Sequence, residues 1–326
     1  DVDDKTIKGA IREDLSLADF TARYKKAFFD DLSALFIQPV EFYPEATEYL
    51  PAMIEMISTL LDKGIAYQGG DGSIYFAIQR FAKYGRLSHL PMEQLKAGAS
   101  ERAASDEYDK ETVADFVLWK KYDPKRDGPI FWESPFGPGR PGWHIECSAM
   151  ATHLLGETLD IHAGGIDNLF PHHENEIAQS EGCTNKTFVR IWMHAEHLLV
   201  DNRKMAKSAG NFYTLRDLLK KGYTGAQVRY LLLQTHYKTP LNFTFQALDA
   251  AKNSLERLKS CTRRLQALDA MISSLDAEVV AQRMEKGFQE ALADDLNISA
   301  ALAAVFDGVR DIHTLCEEKK LGRPDG

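Results

Sequence analysis

A thiol, an imidazole and a carboxylate in two neighbouring segments are residue types that can bind a soft metal ion. Cys147 ends the run Gly-Trp-His-Ile-Glu-Cys, and His172 and Glu176 lie in Pro-His-His-Glu-Asn-Glu. If the stretch after Pro171 is helical, the four-residue spacing puts His172 and Glu176 on one face, as a metal chelate requires. Composition alone favours a small core cysteine and polar helix histidines, so both interpretations stay open from the residues alone.

A second set of residue types suits phosphate and ribose. The run Lys-Met-Ala-Lys-Ser holds Lys204 and Lys207 in a small basic loop that can bind phosphate in a mobile segment, although both could be solvated surface lysines. Gly164 and Gly165 would let the backbone approach a ligand, and Asp167 after them can bind ribose hydroxyls. The alternative is an ordinary turn in which Asp167 caps a helix.

Around these residues the predicted helices and strands alternate, as they do in a nucleotide-binding parallel sheet. Gly and Pro mark a break over 137–142, and the predicted elements after it are a helix over 144–155, a strand over 158–162, a helix over 171–179 and a strand over 188–193. Gly164 and Gly165 should then lie at the carboxyl end of a parallel strand, where such sheets bind ligands.

The rest of the chain predicts helices and one hairpin. Phe20, Tyr24 and Phe28 have helical spacing, and residues 31–127 form an inserted module without visible chemistry. Within the module the predicted elements are a helix from Pro44 that buries Leu50, Ile54, Ile57 and Leu61, a β-hairpin around 69–72 and a loose loop over 97–112. From Thr214 onward the pattern is nearly all helical, with an apolar stripe from Leu248 to Leu268 typical of a bundle helix.

Bulk properties narrow the class of protein. A length of 326 residues predicts two or three domains, and no apolar run reaches membrane-spanning length. The net charge of -9 argues against general polyanion binding but allows a locally basic groove for nucleic acid. The four dispersed cysteines suit a reducing cytoplasm, and we assign Cys183, Cys261 and Cys316 to packing. Because the first residue is not Met, we expect the chain to be a piece of a longer protein.

Together these segments resemble the cysteinyl-tRNA synthetase family of class I aminoacyl-tRNA synthetases. The runs that carry the resemblance are Gly-Arg-Pro-Gly-Trp-His-Ile-Glu-Cys-Ser-Ala-Met over 139–150, the run over 160–179, Lys-Met-Ala-Lys-Ser over 204–208, the start Asp-Val-Asp-Asp-Lys and Asp-Asp-Leu-Asn-Ile-Ser-Ala-Ala over 294–301. These long signatures are specific and span nearly the whole chain.

The resemblance implies a site and its ligands. Cys147, His172 and Glu176 would bind one zinc ion that distinguishes cysteine from serine, and Trp143 and His162 would line the amino-acid pocket. The nucleotide residues would be Gly164, Gly165, Asp167, Lys204 and Lys207, with Lys204 and Lys207 also catalytic and magnesium arriving with ATP. The partners would be ATP, L-cysteine and tRNA(Cys), the protein a cytoplasmic monomer, and no membrane would be involved.

The resemblance also implies a division of the chain. The expected segments are a remnant of the first half of the nucleotide-binding fold over 1–30, a connective insertion over 31–127, the second half with the zinc site over 128–193, the lysine loop and a linking helical fold over 194–240, and a helical bundle that starts the anticodon-side domain over 241–326. The fold class is thus α/β, a class I synthetase-type parallel sheet with an inserted module and a helical C-terminal region.

Two departures from the family pattern stand out. Ala206 replaces the usual Ser of the lysine loop, a small-for-small change from which we expect little loss. The family's His-x-Gly-His motif is absent, and the region that carries it should also supply a second zinc-binding cysteine. We therefore expect the chain by itself to be inactive and its parent protein to be active.

Two other functions remain open at this point. A ligase of the same architecture joins cysteine to an amino sugar in mycothiol synthesis, but it needs no anticodon-side domain, and the helical segment over 244–277 and the Asp294 segment favour the tRNA enzyme. A non-catalytic paralogue that binds zinc or tRNA is the second alternative, favoured only by the absent motif.

Overall fold

The computed structural model describes residues 1–90, 102–103, 115–206, 209–268, 275–318 and 320–321. Lys207 and most of the predicted loose loop over 97–112 lie outside the described residues. The chain forms two compact units, one of Asp1–Phe29 with Pro39–His194 and one of Asp30–Gln38 with Ala195–Gly326.

Helices α1 to α7 precede or surround the sheets of the first unit. Their bounds are Asp4–Arg12 for α1, Leu17–Ala34 for α2, Leu50–Asp62 for α3, Pro124–Asp127 for α4, Trp143–Leu155 for α5, Ile166–Asn168 for α6 and Glu174–Thr184 for α7. Pro51 lies in the first turn of helix α3. This position suits proline, because backbone N–H groups of the first turn have no partner within a helix and proline lacks that group. It ends at Asp62, and Gly64 two residues later has a φ of 68°, a conformation that glycine adopts without strain.

A five-stranded sheet forms the centre of the first unit. Its strands are Ala66–Gln68 (β1), Ile74–Phe76 (β2), Arg102–Ala103 (β3), Asp115–Lys121 (β4) and Gly139–Pro141 (β5). The order is β1-β2-β4-β3, with β5 also paired to β4. The predicted hairpin is confirmed, since β1 and β2 pair antiparallel with Ala66 opposite Phe76.

One hydrophobic core joins this sheet to helices from both ends of the unit. Ile57 of α3, Phe76 of β2, Trp119 of β4 and Ala178 of α7 belong to the same buried cluster. Residues of the predicted insertion therefore share a core with the helix that carries Glu176, so the sheet supports the candidate site directly. Burying large side chains such as Trp119 contributes about 1.5–3 kcal/mol each relative to exposure.

The aromatic residues of the first helical segment lie on one helix, as their spacing predicted, but only one of the three is buried. Phe20 of α2 is buried, whereas Tyr24 and Phe28 are 58% and 50% exposed. Phe28 instead packs edge-on against Tyr43, with ring centroids 6.2 Å apart. The helical spacing of the aromatics is therefore real, but it marks a surface cluster, which hydrophobic periodicity alone does not distinguish from a core.

The second unit has a small sheet and a set of helices. The strands are Leu198–Val200 (β8), Arg203–Lys204 (β9) and Leu241–Phe243 (β10), in the order β10-β8-β9. The helices are Leu215–Lys220 (α8), Gly225–Leu233 (α9), Phe245–Gln266 (α10), Leu275–Ala293 (α11) and Ile298–Glu317 (α12). Strand β10 is the exception to the predicted all-helical region, and it pairs parallel with β8.

Helix α10 follows the predicted apolar stripe only in part. Leu248 and Ala251 are fully buried, but Leu265 is 39% exposed and the helix ends at Gln266. The buried cluster of this unit reaches only to Ala251 along α10, so the later members of the stripe lie beyond it. Among the described residues, none of the helices combines the length and apolar character needed to cross a bilayer.

The start of α9 gives a first testable prediction. Thr224 accepts a hydrogen bond from the N–H of Gln227, and the Gln227 side chain accepts one from the N–H of Thr224, which is a capping box. Thr224→Ala should lower the free energy of unfolding of this unit by about 1 kcal/mol, as measured by chemical denaturation. The exposed Thr262, inside α10, serves as the control, and Thr262→Ala should change stability by less than about 0.5 kcal/mol. Equal effects of the two variants would contradict the capping assignment.

Candidate metal and nucleotide site

Two further strands, Leu159–Gly165 (β6) and Val189–Ala195 (β7), form the frame of the candidate site. Asp160 pairs with Arg190 at 3.3 Å, and the rings of His162 and Trp192 lie 4.9 Å apart. The contact partners on β7 therefore move toward its carboxyl end as the residues on β6 do, as expected for a parallel pair. Gly164 and Gly165 are the last two residues of β6, as predicted.

The helix expected after Pro171 begins later than predicted. Leu169–His173 form a π-type turn in which Phe170 is non-helical, and α7 starts only at Glu174. His172 and Glu176 nevertheless keep their one-turn relation, and Nε2 of His172 lies 3.0 Å from Oε1 of Glu176. Such turns are frequent at functional sites because the extra residue redirects side chains.

The three predicted metal ligands come together. One ligand atom each of Cys147, His172 and Glu176 lies within 4.8 Å of the other two, although Cys147 comes from α5, 25 or more residues earlier in the chain. These distances are those expected for three ligands of one cation with metal–ligand bonds of roughly 2.0–2.3 Å. Unrelated polar residues have no reason to lie so close together.

Glu176 has the character of a metal ligand. Its side chain is fully buried, and the imidazoles of His172 and His162 lie 3.0 and 3.4 Å from its two carboxylate oxygens. Burial raises the pKa of Glu176, but the nearby imidazoles of His162 and His172 outweigh it and lower the pKa to about 2. A buried, ionised carboxylate is unfavourable by itself and is stabilised by a cation.

A second histidine orients the ring of His172 through its Nδ1 atom. Nδ1 of His172 lies 2.7 Å from Nδ1 of His144, which is buried and whose pKa burial lowers well below the usual value. A neutral His144 can accept a hydrogen bond from the Nδ1–H of His172, which leaves Nε2 of His172 free to bind metal. Trp143 stacks on the His172 ring at 4.4 Å, so it lies beside the candidate metal position.

A second group of ligand atoms meets on the other side of Glu176. His162, His173 and Glu176 have ligand atoms within 4.8 Å of one another. Nε2 of His162 is 3.4 Å from Oε2 of Glu176, and Nδ1 of His173 is 2.8 Å from Nε2 of His194. Burial lowers the pKa of His173 to about 4, so its imidazole is neutral and able to act as a ligand.

The acidity of Cys147 makes metal binding depend on pH. Burial, followed by the charge of Glu176, raises the pKa of this thiol well above its usual value. The thiol is therefore protonated at neutral pH and must release its proton to bind metal as thiolate. Apparent affinity for zinc should thus rise with pH, by up to about tenfold per unit for one released proton.

Zinc titrations between pH 6 and 8, with calorimetry in two buffers of different ionisation enthalpy, measure that proton release. Cys147→Ser should lose one released proton, whereas Cys183→Ser, at a half-buried cysteine away from the cluster, should keep the wild-type slope. A slope unchanged in Cys147→Ser would show that the thiol is not a ligand.

The predicted nucleotide residues of this unit lie at the end of β6 and in the short helix after it. A Cβ on Gly164 would lie 2.7 Å from Cε1 of His173, and one on Gly165 would lie 2.5 Å from Oδ1 of Asp167. Position 164 thus favours glycine for close packing against the buried His173 ring, whereas at position 165 the end of the Asp167 side chain would have to move. Asp167 lies in α6 and is exposed, and Gly165 caps that short helix, so the acidic side chain stands at the end of the strand where ribose binding was predicted.

The lysine loop belongs to the second unit. Lys204 is exposed at the end of β9, opposite Leu199 of β8. The side chain of Asn211 donates to the carbonyl oxygen of Lys204 and accepts from the N–H of Ala206. Asn211 therefore closes the base of the loop, a role that the sequence interpretation did not assign to it, although Asn followed the Lys-Met-Ala-Lys-Ser run.

Several residues of the site were missed by sequence reasoning. His144, His173 and Trp192 contact predicted site residues, and His194 contacts His173. Gln179 donates to the carbonyl oxygen of His144 and to Ser148. The sequence did carry a signal for the first two, since each directly neighbours a predicted residue, Trp143 or His172. His194 and Trp192 come from β7, and their approach depends on strand pairing.

Comparison with known families gives two matches. The model described as "tRNA synthetases class I (C) catalytic domain" matches residues 1–253, and the DALR domain model matches residues 287–322. A curated "Cysteine--tRNA ligase" of Protochlamydia amoebophila is 64% identical over 325 residues, which are 100% of this chain and 68% of the relative. The protein of the same name from Chlamydia muridarum is 54% identical over 98% of this chain and 68% of its own length.

Solved structures with similar folds belong to the same class of enzymes. Mycobacterium tuberculosis methionyl-tRNA synthetase bound by methionyl-adenylate superposes with a TM-score of 0.66 at 14% identity, covering 97% of this chain and 74% of that one. A putative arginyl-tRNA synthetase of Campylobacter jejuni gives a TM-score of 0.57 at 15% identity, covering 93% and 61%. These likenesses confirm the predicted α/β fold class with its helical C-terminal region.

Proposed function

The chain belongs to the cysteine–tRNA ligase family of class I tRNA synthetases, and we propose that it activates cysteine with ATP and transfers the cysteinyl group to the 3′ end of tRNA(Cys). The observation that carries the proposal is the meeting of Cys147, His172 and Glu176 beside Trp143. A site that must distinguish a thiol from a hydroxyl needs more than shape, because near-isosteres differ little in packing energy.

The metal that best fits these ligands is zinc. Sulfur, imidazole nitrogen and carboxylate oxygen are all zinc ligands, and three protein ligands leave a position for substrate. A zinc ion bound here would prefer the sulfur of cysteine to the oxygen of serine. His144 supports this role by holding His172 in the tautomer that presents Nε2.

Trp143 and His162 are the side chains we assign to the cysteine pocket. Trp143 is the first residue of α5, and its ring lies flat against His172, which gives an apolar wall next to the ligands. His162 is partly exposed and points Nε2 at Glu176, so it can meet a substrate from the open side. Both side chains would position the amino acid and keep out the water that solvates the hydroxyl of serine. Neither would transfer a proton.

ATP would be bound by residues from both segments that the sequence singled out. Gly164, Gly165 and Asp167 would take the nucleoside, with Asp167 on the ribose, and Lys204 and Lys207 would bind the phosphates and act in catalysis. Magnesium would enter with ATP. In the activation step the cysteine carboxylate attacks the α-phosphorus and pyrophosphate departs, so the protein's task is positioning and charge neutralisation.

We further propose that the protein is a cytoplasmic monomer and that its segments divide near residues 30, 127, 193 and 240. The DALR match over 287–322 favours tRNA over an amino sugar as the acceptor, and the relatives' names give no support to an amino-sugar ligase or a non-catalytic paralogue. Cysteine-dependent pyrophosphate exchange by the intact protein tests the function. Exchange with cysteine and none above background with serine is expected, and equal exchange with both would contradict it.

A further inference from the structure

We infer that Asp295 is a positioning residue, which fixes the turn between helices α11 and α12 to the linking segment formed by residues 234–238. The consequence rests on the proposed function: this attachment sets the orientation in which the two helices meet tRNA. Helix α11 ends at Ala293 and α12 begins at Ile298, so the turn comprises residues 294–297. The DALR domain model matches residues 287–322 and therefore covers the turn and the whole of α12.

The backbone of the turn is strained. Asp295 and Leu296 are consecutive residues with φ values of 53° and 56°, in the left-handed region that residues other than glycine seldom adopt. Such strain persists only where surrounding contacts determine the backbone conformation. The Leu296 side chain is 48% exposed, so its packing does not explain the conformation. The contacts that hold the turn must therefore be made by its other residues.

Three successive residues of the linking segment bind Asp295. The Tyr237 hydroxyl donates a hydrogen bond to Oδ1 of Asp295 at 2.7 Å, and the Lys238 ammonium pairs with Oδ2. Nε2 of His236 lies 2.8 Å from the backbone carbonyl oxygen of Asp295, to which it can donate a hydrogen bond. Both carboxylate oxygens and the carbonyl oxygen of Asp295 are thus bound by one short stretch of chain.

Charge and a further hydrogen bond support the attachment. Hydrogen bonds from Lys238 and Tyr237 lower the pKa of Asp295, so its carboxylate is ionised at neutral pH. Ser299, in the first turn of α12, donates to the carbonyl oxygen of Gln234 at 3.1 Å. A single exposed ion pair contributes little to stability. Here the ion pair and three hydrogen bonds act on the same turn and the start of its helix, so together they restrict its orientation.

The linking segment is also bound to the residues that lead into β8. The N–H of Glu196 donates to the carbonyl oxygen of Tyr237 at 2.7 Å, and the N–H of Leu241 donates to the carbonyl oxygen of His197 at 3.0 Å. Tyr237 therefore contacts the turn through its side chain and the approach to β8 through its backbone. Because β8 belongs to the small sheet of the second unit, Asp295 orients α11 and α12 relative to that sheet.

Tyr237→Phe and Asp295→Gly test the attachment from its two sides by hydrogen exchange. Tyr237→Phe removes one donor and leaves the turn unchanged, whereas Asp295→Gly removes the carboxylate but supplies the residue that adopts a positive φ most readily. Both variants should speed amide hydrogen exchange over residues 296–300 by about fivefold or more. Asp307→Asn, at an exposed ion pair within α12, should keep the wild-type rate. Unchanged hydrogen exchange in either test variant would overturn the attachment.

Two activities of the intact protein test the consequence for tRNA. Cysteine-dependent pyrophosphate exchange does not involve tRNA and should stay within about twofold of wild type in both variants. The KM for tRNA in cysteine charging should rise by about fivefold or more while kcat changes less, because orientation of the helices affects binding rather than chemistry. A wild-type protein that charges no tRNA would refute the proposed function and leave the hydrogen-exchange result valid. Wild-type charging with an unchanged KM in both variants would refute the positioning role alone.

Discussion

Glu176→Gln is expected to lower the affinity of the chain for zinc by more than about 100-fold. Loss of an outer hydrogen-bond partner of a metal ligand costs about 10- to 100-fold, and replacing the ligand itself removes both a bond and a negative charge. Glu176 is fully buried and ionised, so its replacement by a neutral amide removes a negative charge from the interior. Competition titrations with a chromogenic zinc chelator measure the loss.

Glu174 offers the matched control for that variant. It is a fully buried carboxylate on the same helix, but its oxygens accept hydrogen bonds from the N–H groups of Gly85 and Ser88. Glu174→Gln should reduce stability while zinc affinity remains within about tenfold of wild type. If both variants lost zinc equally, the effect would come from disruption of α7 and the ligand assignment of Glu176 would fail.

Lys207→Ala, made in the intact protein, is expected to slow adenylate formation by about 100-fold or more while cysteine binding changes little. Charge on the departing pyrophosphate grows as the bond to the α-phosphorus breaks, so a lysine that meets this charge stabilises the transition state more than the ground state. The loss is comparable with removal of one oxyanion-hole donor. Single-turnover formation of the adenylate, followed at saturating ATP, gives the rate.

An exposed lysine elsewhere provides the comparison. Lys252 lies on the solvent side of α10, and Lys252→Ala should leave both the rate and cysteine binding within about a factor of two. Lys204→Ala should resemble Lys207→Ala in direction, since both lysines are proposed to bind phosphate. Unchanged adenylate formation in Lys207→Ala would remove the lysine from the catalytic step.

The sequence was sufficient for residues whose signal is local. The spacing of His172 and Glu176 and the paired glycines at the end of β6 were read directly from the chain, and the structure places them where the sequence indicated. Residue type grouped Cys147 with them but left its role open, because the approach of its thiol depends on the packing of α5 against α7. Local periodicity cannot report such a contact between distant segments.

Residues that act through tertiary contact were beyond the sequence. His194 reaches His173 only because β7 pairs beside β6, and Asn211 bonds to Lys204 and Ala206 across several residues of the chain. Phe28 lies on a helix as its spacing predicted, but its exposure could not be derived from that spacing. The hydrophobic pattern shows which residues of an element share a face, but the elements packed against that face determine whether it is buried.

The way in which Glu174 is bound has a consequence for how this protein can diverge. Its two oxygens are held mainly by backbone N–H groups of Gly85 and Ser88, and only the Ser88 hydroxyl is a side-chain donor. A backbone donor does not depend on the side chain of its own residue, so substitution of Ser88 would leave one attachment of Glu174 in place. Gly85 is restrained for a separate reason, because its φ of 84° favours glycine. Across relatives we therefore expect strong restraint at position 174 and weaker restraint at position 88, and a deep mutational scan of both positions would display that asymmetry.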